Sequence, residues 1–249
     1  MVRVLILGGT GDAVELAAQA AQISTIEVIT SLAGRTRHPI APSGSTRVGG
    51  FGGADGLTAY LRESQIDLLI DATHPFAAQM SWNAATAATA ANIPHLMLIR
   101  PAWTKVTDDR WIEVVSVDAA AKAIPPDITR VFLTIGRQQL APFVPLTNTW
   151  FLLRSIDPPA SELMLPNGKL ILDRGPFTLE NERSLLLDYR IEAIVSKNSG
   201  GDATYSKIIA ARELNIPVIM VDQPPMPPGE RVTDVSSALR WLQQHIKSA

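Results

Sequence analysis

The chain has 249 residues, of which 46% are hydrophobic and 18% charged, and this balance indicates a globular protein of one large or two small domains. The absence of cysteine excludes disulfides, thiolate metal sites and cysteine nucleophiles, and a net charge of −2 gives no general attraction to nucleic acid or anionic lipid. No apolar run approaches the ~18 residues of a membrane span, and the start lacks a signal-peptide cleavage site, so we expect a cytoplasmic protein with no membrane partner.

Short apolar runs alternate with helix-like stretches along the chain, as in βαβ units. In the first half the predicted strands are 3–7, 27–30, 66–71 and 95–99, and the predicted helices are 12–22, 55–64 and 77–92. In the second half the predicted strands are 130–136, 150–155, 191–196 and 217–221.

The two halves also match at individual residues. NIPHLMLIRP (92–101) parallels NIPVIMVDQP (215–224), and RVGGF (47–51) parallels RGPF (174–177). Two unrelated Rossmann-like units would share the rhythm of strands and helices without these ordered matches. The sequence therefore favours an internal duplication.

A polar strand and a helix close each half, at 111–124 and at 230–246. We predict an α/β fold of two Rossmann-like parallel-sheet domains, 1–127 and 128–249, with a cleft between them. Such folds bind ligands beyond the carboxyl ends of their strands. We expect the first domain to bind the cofactor and the second to bind the substrate, because the first loop of the second domain, TIGRQQLAPF, lacks a glycine cluster.

A glycine-rich loop follows the first predicted strand, in LILGGTGDAVELA (5–17). Gly8, Gly9 and Gly11 allow close backbone approach, and the following helix offers N–H groups to a pyrophosphate. No third glycine completes the G-x-G-x-x-G spacing, so a plain tight turn stays an alternative.

The stretch 28–54 contains no Asp or Glu. NAD-selective folds usually place an acid about 20 residues past the loop, to bind the ribose 2′-hydroxyl. Here Ser31 and Arg35 follow the second strand instead, a pairing that suits a 2′-phosphate and favours NADPH. The glycine-rich stretch 44–53, which carries Arg47, fits either a flexible loop or backbone lying against a flat ligand.

The segment DATHPFA (71–77) aligns with VSKNSGGDAT (195–204) in the duplication, and both are predicted carboxyl-end loops. His74 is a candidate proton donor or an element that shapes the loop, and the catalytic residue stays open. We expect no metal site, because four scattered histidines without cysteine lack metal-ligand spacing.

The stretch KNSGGDAT (197–204) places a cation, polar side chains and a Gly-Gly pair at the head of a helix. These groups are typical of anion binding, although an ordinary capped loop is the alternative. Further cations end or follow predicted strands, namely Arg100, Arg137, Arg154 and Arg174.

Seven motifs together resemble the precorrin-6A reductases of vitamin B12 synthesis, in order from about Val4 to Pro224. They are LILGGTGDA, SLAGRT, GGFGG, DATHPFA, RPAW, RGPF and KNSGGDAT. The resemblance implies NADPH-dependent reduction of one double bond in precorrin-6A or cobalt-precorrin-6A, giving the 6B form. It also implies hydride delivery to a ring carbon and a proton added at its neighbour.

Motifs and resemblance together predict two sets of site residues. The cofactor set is Gly8, Gly9, Thr10, Gly11, Asp12, Ser31, Arg35, Thr73 and His74. The substrate set is Arg137, Lys197, Asn198, Ser199, Gly200, Gly201 and Thr204.

Two other functions stay open at this point. One is an NADPH-dependent reductase of a different anionic substrate, and the other is a non-catalytic NADP(H)-binding sensor. The predicted partner is an anionic tetrapyrrole rather than nucleic acid. The sequence does not fix the oligomeric state, and a monomer is our working hypothesis.

Overall fold

The computed structural model describes residues 1–34 and 43–246. In chain order its strands are β1 Val2–Leu7, β2 Ile26–Leu32, β3 Ser45–Val48, β4 Leu68–Asp71, β5 His95–Leu98, β6 Trp111–Val114, β7 Arg130–Thr134, β8 Trp150–Ser155, β9 Gly168–Leu172, β10 Ala193–Lys197, β11 Val218–Val221 and β12 Glu230–Val232. Its α-helices are α1 Gly11–Ala20, α2 Ala54–Glu63, α3 Ala78–Ala91, α4 Val117–Lys122, α5 Leu179–Asp188, α6 Ser206–Glu213 and α7 Val235–Ile246.

The strands form two six-stranded parallel sheets, which confirms the predicted fold class. The first sheet has the order β12-β5-β4-β1-β2-β3, and the second has the order β6-β11-β10-β7-β8-β9. Both sheets thus have the same strand order. In each sheet one edge strand comes from the other half of the chain, β12 in the first sheet and β6 in the second. This shared topology fits the predicted duplication.

The chain divides into two compact units, Met1–Pro101 with Pro224–Ala249, and Ala102–Gln223. The predicted division into 1–127 and 128–249 therefore needs correction. The reason is strand pairing: β6 lies parallel to β11, with Trp111 opposite Val218, and β12 lies parallel to β5, with Glu230 opposite Leu96. Each closing strand, with the helix after it, thus belongs to the unit formed mainly by the other half.

Helices on both faces of the first sheet explain the continuous apolar sequence of β1. Val4 and Ile6 pack in a core cluster with residues of α1 and α7. Leu5 and Leu7, which point to the opposite face, pack with residues of α2 and α3. Since both faces are covered, an alternating polar pattern is not needed.

Two strands, β3 and β9, were not predicted, and β3 lies within a stretch interpreted as a loop. Both lie at a sheet edge, beyond β2 and β8 respectively. Their residues are mostly exposed or half-buried, so they lack the apolar run that marks an interior strand.

No helix in residues 1–34 and 43–246 has the length and apolar character needed to cross a membrane.

Candidate functional site

The first unit carries a glycine-rich turn at the carboxyl end of β1. The Gly8 N–H donates to the Ser31 carbonyl at 2.9 Å, and a Cβ on Gly8 would lie 3.0 Å from Thr30 Cγ2. Gly9 has a φ of +114°, and a Cβ there would meet no atom within 4 Å. The turn therefore needs glycine at Gly9 for its backbone conformation, and its outer side leaves room for ligand atoms.

Thr10 joins this turn to the start of α1. Its hydroxyl accepts the N–H of Ala13 at 3.1 Å and donates to the Ala72 carbonyl at 2.9 Å, just past the end of β4. The hydroxyl thus caps the helix and fixes it against the neighbouring strand. Other N–H groups of the first helical turn have no partner within the helix and can bind an anion.

Asp12, a predicted cofactor residue, forms an ion pair with Arg100, which follows β5. A Cβ on Gly11 would approach Arg100 Nη2 at 3.7 Å. The carboxylate in the first turn of α1 is therefore paired with a guanidinium, so a phosphate at this helix end meets a cation as well as the acid.

Ser31 lies near the end of β2 and is buried, with 6% of its surface exposed. Its hydroxyl lies 3.3 Å from Nη1 of Arg47, on the adjacent strand β3. Arg35, predicted to act with Ser31, lies outside the described residues. Arg47 is the described cation next to Ser31, and the sequence analysis did not include it in the cofactor set.

The Arg47 guanidinium is held by its own loop. It donates to the Gly49 and Gly50 carbonyls at 2.6 and 2.7 Å and stacks 3.8 Å above the centre of the Phe51 ring. Among the described residues no carboxylate pairs with it. The signal that could have identified this cation was its place in the glycine-rich stretch 44–53, within the acid-free stretch 28–54.

The DATHPFA segment follows β4, which neighbours β1. The Asp71 carboxylate is 2% exposed and accepts the N–H of Thr73 at 3.0 Å and its hydroxyl at 2.6 Å. His74 is exposed, and its Nδ1 accepts the N–H of Phe76 at 3.2 Å. Asp71 therefore stabilises the turn that places His74 at the carboxyl edge of the sheet.

In the second unit, Trp103 fixes the KNSGGDAT loop. The Trp103 N–H donates to Asn198 Oδ1 at 2.7 Å, Asn198 Nδ2 donates back to the Trp103 carbonyl at 3.1 Å, and the indole N–H donates to the Gly201 carbonyl at 2.9 Å. Gly200 and Gly201 both have left-handed φ angles, of 67° and 73°. Asn198, a predicted substrate residue, thus uses both ends of its amide within the protein.

The rest of this loop is tied down through its carbonyl groups. The Ala203 carbonyl accepts the N–H of Phe177 at 3.1 Å, and a Cβ on Gly175 would lie 3.1 Å from the same oxygen. The Thr204 carbonyl accepts from Lys207 Nζ at 2.8 Å. The motifs RPAW, RGPF and KNSGGDAT, far apart in sequence, therefore meet at one loop.

Buried charges lie behind this loop. Arg154 and Glu182 form a two-point ion pair, with 6% and 1% of their side chains exposed. Lys207, in α6, is 3% exposed, and its Nζ lies 4.8 Å from the centre of the Trp103 ring. Burial, with a smaller contribution from Arg154 and against the attraction of Glu182, lowers the pKa of Lys207 from 10.5 to about 7.

The first loop of the second unit differs from its counterpart in the first unit. After β7 the chain forms a short 3-10 helix, Ala141–Phe143, where the first unit has the ten-residue helix α1. Arg137, a predicted substrate residue, donates to the Pro158 carbonyl at 2.7 Å. This loop offers neither the glycine turn nor the helix start that the first unit presents.

In the described ranges, 1–34 and 43–246, no three His, Cys, Asp or Glu side chains are grouped to hold a metal ion. His95 begins β5 and is partly buried, and this burial lowers its pKa although the Asp71 carboxylate opposes the shift.

The predicted residues thus form one group in each unit. In the first, Gly8–Asp12, Ser31, Thr73 and His74 lie at the carboxyl ends of β1, β2 and β4, which are adjacent strands. In the second, Arg137 and 197–204 follow or end the adjacent strands β7 and β10.

A parallel sheet whose first strand leads through a glycine turn into a capped helix defines the first unit as Rossmann-like. Known proteins make the assignment specific. The family model described as "Precorrin-6x reductase CbiJ/CobK" matches residues 3–243, so the chain belongs to this reductase family.

Individual relatives agree with the family match. The precorrin-6A reductase of Rhodococcus erythropolis is 48% identical over 243 residues, which cover 97% of this chain and 98% of the relative. The precorrin-6A reductase of Rhodobacter capsulatus is 42% identical over 245 residues, covering 98% and 97%. The solved structure of CobK precorrin-6A reductase matches with a TM-score of 0.92 at 42% identity, covering 98% of this chain and 97% of that chain.

Proposed function

We propose that this chain catalyses the NADPH-dependent reduction of one double bond of precorrin-6A, giving precorrin-6B. Membership of the precorrin-6x reductase family supports the reaction. The observation that carries the cofactor assignment is the open glycine turn at Gly9, next to the capped start of α1. The dinucleotide supplies the hydride, and the protein orients the two reactants and places charge around them.

The first unit fits the phosphates of a dinucleotide. Gly8, Gly9 and Gly11 bring the backbone close to a pyrophosphate, which accepts N–H groups at the start of α1. Thr10 does not have to bind the ligand through its hydroxyl, because that group already bonds to Ala13 and Ala72. Its role is to hold the helix start in place.

Ser31 and Arg47 support NADPH over NADH. Arg47 has no carboxylate partner among the described residues, and the stretch 28–54 contains no acid to bind a 2′-hydroxyl. A rigid guanidinium beside a hydroxyl is suited to a 2′-phosphate. Arg35, which lies outside the described residues, is proposed as a second cation for the same group.

The loop 197–204 of the second unit is proposed to bind the carboxylates of the macrocycle. The carbonyls of Gly201, Ala203 and Thr204 are bonded within the protein, so these three acceptors do not face an anion at the loop. Lys197, Ser199 and the backbone N–H groups of the Gly-Gly pair are the proposed donors.

His74 is proposed to shape the loop rather than to donate the proton. Its Nδ1 already accepts an N–H from its own turn, and the side chain is exposed, so water has access to this edge of the sheet. In this proposal the carbon next to the reduced one takes its proton from water.

A single-turnover experiment tests the function. Purified protein is mixed with NADPH and precorrin-6A, and the visible bands of the pigment and the absorbance of NADPH are followed together. We expect one NADPH oxidised for each pigment reduced, with NADH and cobalt-precorrin-6A as the comparison reactants. Binding of NADPH without turnover of any pigment would identify a sensor instead, and turnover of only an unrelated anionic substrate would identify a different reductase.

A further inference from the structure

Lys207 is a buried cation that the proposed chemistry leaves unused. It is 3% exposed and lies in the first turn of α6, directly after the 197–204 loop. Its ammonium group donates to the Thr204 carbonyl at 2.8 Å and lies over the ring of Trp103. The backbone of Trp103 binds the Asn198 side chain, and its indole N–H donates to the Gly201 carbonyl. A charge in such a place is costly unless nearby groups compensate for it.

The surrounding charges do not cancel that of Lys207. The charged groups that act on it among the described residues are Arg154, from β8, and Glu182, from α5. Glu182 uses both oxygens to bind Arg154, so these two side chains form a neutral pair. Protonated Lys207 therefore adds one net positive charge behind the loop.

We propose that Lys207 is a positioning residue that holds the end of the 197–204 loop through Thr204 and, by its charge, increases the affinity of that loop for substrate carboxylates. This inference rests on the proposed function, because it takes the loop as the site for those carboxylates. Lys207 itself does not touch the substrate in this proposal.

The charge of Lys207 changes in the neutral pH range, since burial lowers its pKa to about 7. Below this value the ammonium attracts an anion at the loop, and above it the neutral amine keeps its hydrogen bond but loses that attraction. Affinity for the pigment is therefore expected to fall as the pH rises through about 7, by about 3- to 30-fold, the effect of one partly screened charge.

Pigment binding without turnover tests the inference. Precorrin-6A is titrated into the full chain without NADPH from pH 6 to 9, and the dissociation constant is measured by tryptophan fluorescence. Lys207→Gln keeps an N–H donor but removes the charge, whereas Lys207→Arg keeps the charge at every pH. Lys169→Gln, at an exposed lysine on β9 that bonds to the Tyr189 hydroxyl, is the matched control.

We expect the wild type and Lys169→Gln to lose affinity with rising pH, and Lys207→Gln to bind weakly and without that pH dependence. Lys207→Arg should restore tight binding at high pH. If Lys207→Gln keeps the wild-type pH dependence, or if the wild type binds equally at every pH, Lys207 does not act through its charge and the inference is wrong. If the wild type binds no precorrin-6A at any pH, the proposed function fails instead.

Discussion

Replacing Lys207 by methionine should change how the stability of the second unit depends on pH. The folded protein lowers the pKa of this lysine from 10.5 to about 7. Below about pH 7 both the folded and the unfolded chain hold the proton. Between about 7 and 10.5 only the unfolded chain holds it, so the free energy of unfolding rises with pH over that range.

The size of the effect follows from the lost proton. A difference of one bound proton changes the free energy of unfolding by about 1.4 kcal/mol per pH unit. At a pH two units above the folded pKa, the lost proton therefore raises the free energy of unfolding by about 2–3 kcal/mol. Lys207→Met removes this contribution and leaves the Arg154–Glu182 pair intact. From pH 7 to 9 the wild type should therefore gain about 2–3 kcal/mol relative to the variant.

Urea denaturation at pH 7, 8 and 9, followed by tryptophan fluorescence, measures the difference. Lys169→Met serves as the control, because that lysine is exposed and should give a curve parallel to the wild type. Parallel pH dependence of the wild type and Lys207→Met would show that Lys207 is charged throughout, and the argument from burial would then fail.

Three further substitutions test the site. Arg47→Ala should weaken NADPH binding by about 10- to 150-fold, the range for a charge-assisted contact. In the same calorimetric titrations NADH binding should change by no more than about 2-fold, because NADH lacks the 2′-phosphate. Equal losses for both cofactors would exclude Arg47 from 2′-phosphate recognition. Lys197→Ala should weaken binding of the pigment more than binding of NADPH, and the reverse result would exchange the roles of the two units. His74→Asn should reduce turnover by much less than the ~10²–10⁴-fold of a general acid, and a descending limb near pH ~6.5 in the wild type that disappears in the variant would contradict the shaping role.

The elements that form the two sheet interiors could be predicted from local sequence. Predicted strands such as 3–7 and 95–99 agree with β1 and β5 to within a residue at each end, because strands covered on both faces are continuously apolar. The edge strand β3 could not be predicted in this way, since its residues are mostly exposed. The match of RVGGF to RGPF indicated that these two segments occupy equivalent positions in the two halves of the chain. It did not indicate that a strand lies at or before each of them.

The sheet to which each closing strand, β6 or β12, belongs could not be predicted from the local sequence pattern either. The sequence marks 111–124 and 230–246 correctly as a strand and a helix, but any strand of a parallel sheet offers the same backbone groups to a neighbour. Which sheet accepts β6 or β12 depends on pairings with β11 and β5, which lie more than a hundred residues away in the chain. The predicted domains 1–127 and 128–249 were therefore wrong for residues 102–127 and 224–249, which belong to the opposite units.

The loop 197–204 shows why a sequence motif can locate a site without showing which of its residues bind the ligand. The sequence indicated an anion-binding loop at the head of a helix, and Asn198 was as good a ligand candidate as Ser199. Trp103, 95 residues earlier, occupies both ends of the Asn198 amide, and Phe177 and Lys207 hold the carbonyls that follow. These partners bind Asn198 Oδ1 and the carbonyls of Ala203 and Thr204 within the protein, so these acceptors do not face a bound carboxylate. The anion binding proposed for this loop therefore depends on contacts between distant motifs. In the same proposal, the protonation of buried Lys207 makes the affinity of the loop depend on pH.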